Sequence, residues 1–206
     1  MSSRVNFLPD ERFLSLRSAL KERLDKMAEV ITPENLCGIL DLRSENVLRD
    51  AFARVGADEG SIWLLDPPKE NLVVAYNTGG HAAAIVGFKQ PVGSGIVSTS
   101  LASEHGFAEN EVYKHELHSR LLDDKLSLTT YAMIVVPFYF LNACRGVISC
   151  VQLFNVRREA GHAVPVGQIP PGFDIEQLNL IKRASSVISD LIDYRLLRVT
   201  VGWDGH

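Results

Sequence analysis

Cysteine is scarce in this 206-residue chain. Cys37, Cys144 and Cys150 form an odd set with neither a disulfide framework nor metal-ligand spacing, as expected of reduced thiols in a cytoplasm. Long apolar runs are missing as well. The longest, Tyr131 to Leu141, has 11 residues and contains Pro137, whereas a bilayer span needs roughly 20. The opening Met1-Ser2-Ser3-Arg4-Val5-Asn6 lacks the apolar core of a signal peptide. Basic charge is not in excess: the net charge is −4 and no Lys/Arg-rich run occurs, so no nucleic acid and no membrane is expected as a main partner. There is no GxxxxGK[ST] phosphate loop, no GxGxxG, no nucleophile elbow, and no cysteine beside a histidine. Internal repeats and low-complexity segments are likewise lacking.

What is present is enough apolar sequence, 46% against 22% charged, to bury the core of one ordinary domain with extra flanking helices. The clearest signal lies between Thr129 and Asn155. Two β-rich runs, Tyr131 to Leu141 and Gly146 to Phe154, flank a polar break at Asn142 to Arg145 and predict a long antiparallel hairpin. Pro137 cannot donate to a ladder, which places it at a bulge or where one side of the strand is free. Val147, Ile148, Val151 and Leu153 imply burial on both faces, hence a central position with helices on both sides of the sheet.

Before the hairpin, Phe13, Leu16, Leu20, Leu24, Met27 and Ile31 recur at steps of three and four, predicting an amphipathic helix over residues 9–31 opened by Pro9-Asp10-Glu11. Its stripe either packs on its own domain or forms a dimer seam. Thr32-Pro33 breaks it. A second helix is expected from Ser44, as N-cap, to Val55, ended by Gly56. Strands follow at Ser61 to Leu65 and Leu72 to Tyr76, joined by the turn-rich Asp66 to Asn71, with a short strand around Ile85 to Phe88. Pro91-Val92-Gly93-Ser94-Gly95-Ile96-Val97 reads as a tight strand-to-helix turn whose free N–H groups suit an anion or a polar ligand edge. Glu109 to Asp124 reads as a polar helix with sparse apolar anchors. Beyond the hairpin, Arg157 to Gly172 is a Pro/Gly-containing loop and Phe173 to Arg198 a long helix. In that helix Leu178, Ile181, Ala184/Ser185, Ile188, Leu191/Ile192 and Arg195 lie near heptad spacing. Thr200 to His206 reads as a frayed tail.

Chemistry-bearing groups are few. His115 and His118, three apart on the expected polar helix, suit a shared metal or a haem, or are ordinary surface histidines. Asp123-Asp124 and Glu109/Glu111 suit paired acid–base work, or capping and solvation. Cys144 and Cys150 belong to the hairpin and read as small hydrophobes. Thr129, Thr130, Ser94, Ser98 and Thr99 are caps and strand formers, or else the few polar groups of a cavity between the sheet and residues 93–124.

Taken together, Gly60 to Asp66, Leu72 to Tyr76, Pro91 to Val97, Val135-Val136-Pro137-Phe138, Arg145 to Asn155 and Phe173-Asp174-Ile175-Glu176 resemble, in order and spacing, a GAF domain. This is the small-molecule-sensing module of phosphodiesterases, phytochromes and many bacterial signalling proteins. The resemblance implies an α+β fold: a central antiparallel sheet of about six strands, PAS-like, with helices on both faces. The terminal helices would lie on one face, and shorter helices and loops would roof a pocket on the other. It divides the chain into a flanking helix and connector (1–42), the GAF domain (43–199) and a tail (200–206). Carried onto this sequence, the pocket draws on Trp63, Phe88, Ser94, Ile96, Val97, Thr129, Thr130 and Tyr131, roofed by residues around Val112 to Leu122.

The implied function is non-catalytic: a sensor that binds a small-molecule ligand, dimerises with a second copy through its terminal helices, and signals to a partner protein. Nothing resembling an output domain follows Arg198, so the output is expected in another protein unless the chain is a fragment. The sequence specifies neither the ligand nor a cofactor. It departs from the cyclic-nucleotide-binding pattern, since Val156 rather than Lys follows Asn155. It has no cysteine between Ile85 and Thr130 to hold a bilin, and its cysteines do not match the methionine sulfoxide reductases of this fold. Two rival readings are a dimerisation scaffold whose pocket is filled by its own side chains, and a haem- or metal-using sensor or enzyme working through His115/His118.

Overall fold

A computed structural model of the chain describes residues 14–154 and 169–203. Six strands form one antiparallel sheet in the order β3-β2-β1-β6-β5-β4. They are β1 (Glu59–Leu65), β2 (Asn71–Asn77), β3 (Lys89–Pro91), β4 (Phe107–Asn110), β5 (Thr130–Phe140) and β6 (Ala143–Leu153). The expected hairpin is therefore β5–β6, and β1 pairs along the other side of β6 from Glu59↔Val151 to Leu64↔Gly146. β4 pairs with β5 only over Ala132 to Val135, so Pro137 lies past its end, where a missing N–H leaves no neighbouring strand unpaired. The hairpin turns through Leu141 and Asn142, both with left-handed backbone (φ 51° and 59°), as the right-handed twist of paired strands requires of a two-residue turn.

Side-chain alternation gives the two sheet faces separate cores. One holds Ile62, Leu64, Ile134, Val136, Phe138, Ile148 and Cys150 under helices α1 (Leu14–Val30), α2 (Leu36–Ile39), α3 (Leu42–Arg54) and α7 (Ile175–Val201). Phe52 of α3 sits directly over Gly60, where any Cβ would overlap its ring. The opposite face carries Trp63, Leu72, Val74, Met133, Val135 and Val147 under α4 (Ala82–Ile85), α5 (Gly95–Ser103), a 3-10 turn at Val112–Lys114 and α6 (Leu121–Leu126). The expected α+β architecture, with terminal helices on one face and short ones on the other, is the architecture observed.

Helix α7 opens on a full capping box. The Asp174 side chain accepts from the Gln177 N–H, and the Gln177 side chain accepts from the Asp174 N–H, both at 2.8 Å. Its buried stripe, Leu178, Ile181, Ala184, Ser185, Ile188, Ile192, Leu196 and Thr200, lies on the sheet and on α1. The heptad-spaced positions expected as a seam are thus mostly consumed inside the domain. Asp193 reaches the hairpin tip and accepts from the Leu141 N–H at 2.7 Å, which anchors a strained turn to the helix.

Several sequence expectations are corrected. Asp41, not Ser44, caps α3, because its carboxylate accepts both the Ser44 N–H and hydroxyl. Ile85 ends a short helix and the strand begins at Lys89, since Gly87 (φ 84°) reverses the chain between them. Residues 109–124 are not one helix. Glu111 takes a left-handed backbone and the segment divides into the end of β4, the 3-10 turn, and α6. Strand pairing of β4 with β5 overrides the helical spacing there. Thr200 and Val201 still belong to α7, which Gly202 caps. Pro9 to Phe13, most of the 157–172 loop, Asn155 and the last three residues lie outside the described residues.

Ile188 is fully buried between α7 and the sheet. Ile188→Ala is expected to lower stability by about 2–5 kcal/mol in urea denaturation, because neighbours held by backbone pairing cannot collapse into the space.

Candidate functional site

Strands with both faces buried ordinarily carry apolar residues throughout, yet the roofed face of β1 and β6 does not. Alternation on β1 brings Glu59, Ser61 and Trp63 to that face, and on β6 Ser149, Val151 and Leu153. β5 contributes Thr130 and Met133, and the roof supplies Ile85, Ile96, Val97, Leu122 and Leu126. Together they line a partly open cavity of about 60 Å³.

The polar groups on this wall are held in place. Trp63 Nε1–H donates to Ser149 Oγ at 2.9 Å, which fixes the indole against the adjacent strand. Asn77 Nδ2–H donates to Ser61 Oγ at 2.9 Å, and Gln90 Nε2–H to the Ser94 carbonyl at 2.6 Å. Gly95 packs closely on the Gln90 and Ser119 side chains, and its left-handed backbone (φ 77°) would strain any other residue, so this glycine serves the tight strand-to-helix turn expected from the sequence. At one end, Glu59 Oε1 accepts from the His81 backbone N–H at 3.0 Å and lies 2.7 Å from His81 Nδ1. Glu59 Oε2, equally buried, has no hydrogen-bond partner.

At the other end Asp123 ties roof to sheet. Its Oδ2 accepts from the Thr130 N–H at 3.0 Å and lies 3.1 Å from His118 Nε2, while Oδ1 accepts from the Thr130 hydroxyl at 2.7 Å. Burial pushes the Asp123 carboxyl up, but the hydrogen bonds from His118 and Thr130 outweigh it and hold the group below the ordinary aspartate range. A further roof contact comes from Lys125, whose Nζ donates to the Ala84 carbonyl at 2.9 Å and stands over the Phe88 ring.

Of the residues expected at the pocket, Trp63, Ile96, Val97 and Thr130 line this cavity. Phe88 stands behind Trp63 in edge-to-face contact, with ring centroids 6.2 Å apart. Ser94 begins α5 and meets Gln90 through its carbonyl. Thr129 is exposed. Tyr131 packs against the core of the opposite face, with its ring also meeting Tyr113 and Phe154, because the register shift between Thr130 and Ala132 reverses the alternation there. Glu59, Gln90, His118, Asp123 and Ser149 were missed as cavity residues. Polar residues at alternate positions of buried strands could have signalled Glu59, Ser61 and Ser149. His118 and Asp123 gave no such signal, since the apparent helix around them set them in solvent.

The histidines do not form a helical pair. His118 is buried against Asp123, while His115 lies outside, its Nδ1 accepting from the Leu117 N–H at 3.2 Å. Among the described residues no three His, Cys, Asp or Glu side chains gather as a metal site would require. Cys150 is fully buried, and burial pushes its thiol far above the ordinary range, so it packs as a small hydrophobe. No described helix is long and apolar enough to cross a membrane.

No protein-family model matches the sequence, and no curated protein matches it. Solved structures do share the fold. The GAF domain of the Coxiella burnetii phosphoenolpyruvate-protein phosphotransferase superposes with a TM-score of 0.56 at 12% identity, covering 94% of this chain and 99% of that one. The corresponding GAF domain from Acinetobacter gives 0.55 at 15% identity over 94% and 98%. The GAF-B domain of DevS from Mycobacterium smegmatis gives 0.50 at 16% identity over 78% and 95%. The chain has a GAF-like fold.

Asp123 contributes a signed pH dependence. Its carboxyl titrates lower when folded than unfolded, so its stabilisation is complete above the unfolded value. It is lost as pH falls from about 4 through the lower folded value. Asp123→Asn is expected to melt at a lower temperature at neutral pH and to show a shallower loss of Tm on acidification. A thermal denaturation series from pH 7 to about 2.5 measures both.

Proposed function

We propose that this protein is a non-catalytic regulatory domain that senses a small molecule in the cavity between the sheet and its α4–α6 roof. The observation that carries the reading is a polar row, Glu59, Ser61 and Ser149, on a strand face that packing alone would fill with apolar residues. Burying polar groups costs stability unless they are satisfied, and Glu59 retains one oxygen without a partner. Binding pockets for drug-sized molecules run to about 300–1,000 Å³. At about 60 Å³, the ligand is compact, or the roof moves to admit it. The roof is suited to moving, because α6 has no buried residue of its own and is tied down by Lys125 and Asp123.

Dimerisation through α1 and α7 belongs to the same proposal. The chain is buried at the C-terminal end of α1, at Ala28 and at Ile31 just beyond it, and uncovered at the other end, where Leu16 is 63% exposed. A second, outward stripe on α7, formed by Val187, Tyr194, Leu197 and Val201, repeats at steps of seven, three and four. Where α1 meets this stripe, near the end of α7, a mainly apolar groove includes Leu16, Leu20 and Val201, with Arg17 and Arg23 also in its wall. A second copy of the chain would cover this surface. Ligand in the cavity would then favour one arrangement of the paired helices and pass the difference in free energy to a partner protein.

The small volume favours one rival, a dimerisation scaffold whose cavity is closed by its own side chains. Native mass spectrometry of protein purified without denaturation, followed by a thermal-shift screen of metabolites, separates the two. The sensor gives a bound mass or a saturable rise in Tm, about 2.7 kcal/mol of stabilisation at 100 times the dissociation constant. The scaffold gives neither. For the seam, the double variant Leu16→Glu, Val201→Glu is expected to be monomeric by light scattering where the parent protein is dimeric, with an unchanged circular dichroism spectrum. An association state the same as the parent's would refute the seam.

A further inference from the structure

We propose that the cavity takes a small primary ammonium compound, with Glu59 as its counter-ion. The inference rests on the sensor reading above and adds the chemical class of the ligand. Three observations carry it.

The first is the state of Glu59. It is 6% exposed and forms part of the cavity wall, with Oε1 engaged by His81 and Oε2 unpartnered. A buried carboxylate oxygen without a donor is a costly arrangement, and an N–H donor carrying positive charge offsets it best. Gly79 provides the space in which this carboxylate sits, since any Cβ there would overlap it.

The second is the sign of the remaining wall. Two carboxylates, Glu59 and Asp123, line the cavity, and no lysine or arginine is among its described lining residues. Asp123 is already satisfied by His118 and Thr130. An anion would therefore add like charge beside Glu59, and a neutral donor could pair Oε2 only without the opposite charge that an ammonium brings.

The third is size and shape. About 60 Å³ admits a group of a few heavy atoms. An ammonium head has three donors in the smallest compass. The Trp63 indole suits a cation by its ring face, and Ile96, Val97 and Met133 suit a short alkyl stem.

The test titrates the whole protein with ethylammonium chloride, and separately with sodium acetate, with ethanol and with tetramethylammonium chloride at equal ionic strength. Melting temperature and the backbone amide signals of Gly79 and His81 are followed. Ethylammonium is expected to raise Tm saturably and to shift those two amides. Acetate, of the wrong charge, and tetramethylammonium, without N–H donors, are expected to do neither. Glu59→Gln, checked for folding by near-ultraviolet circular dichroism, should weaken ethylammonium binding about tenfold to a hundredfold, the loss of one charge-assisted hydrogen bond. Acetate or neutral ethanol binding in place of ethylammonium overturns the ammonium class and leaves the sensor standing. Equal affinity in Glu59→Gln overturns the role of Glu59. If no amine, carboxylate or neutral metabolite binds at all, the sensor reading fails and this inference with it. Should Glu59→Gln not fold, the comparison of ethylammonium with acetate on the parent protein decides.

Discussion

Strands β1, β5 and β6 are covered on both faces, and everything else in the molecule follows from how their side chains alternate. One face of this three-stranded centre presents Ile62, Ile134, Ile148 and Phe138 to α3 and α7, an apolar surface matched by an apolar helix stripe. The other presents a mixed row in which Trp63, Met133 and Val147 alternate in space with Glu59, Ser61 and Ser149. A mixed row cannot be sealed by a long apolar helix without stranding its polar atoms. It is roofed instead by short elements that bring polar groups of their own, and those elements leave a cavity.

That difference sets the mechanical character of each side. On the helical face, α7 is anchored along its whole length, from the capping box at Asp174 to the contact between Thr200 and Met27, and at the hairpin tip through Asp193. On the roofed face, α6 is held by a few directed contacts, chiefly the Asp123 cluster and Lys125. Elements with few buried apolar contacts open at lower free energy than the core does. The helical face is therefore held more firmly than the roofed face. The shared strands are the physical connection between them.

The sequence was most legible where one period dominates. Val147 to Leu153 announced a central strand because apolar residues fall on both parities, and Ile181 and Ile188 announced a helix stripe by their spacing. Half of the expected pocket, Trp63, Ile96, Val97 and Thr130, was also within reach, through the resemblance of the ordered motifs to a GAF domain. Legibility failed between Glu109 and Asp124. The spacing there mimics a helix, but β4 is held by Ala132 to Val135 of β5, a pairing with residues more than twenty positions away. Tyr131 failed for a related reason: a single register shift beside it moves its ring to the other face.

By itself the amino-acid sequence determined the central hairpin and the two long helices, because these depend on periodicities confined to one segment, while the α+β class and the roofed side were implied by the resemblance of its ordered motifs to a GAF domain. Only the tertiary structure decided that His118 is buried on Asp123, that Glu59 keeps an oxygen without a partner, and that the cavity is small. The reason is physical. Periodicity records which face of an element avoids water, whereas hydrogen-bond partnership and enclosed volume arise only where elements distant in the chain are brought into contact.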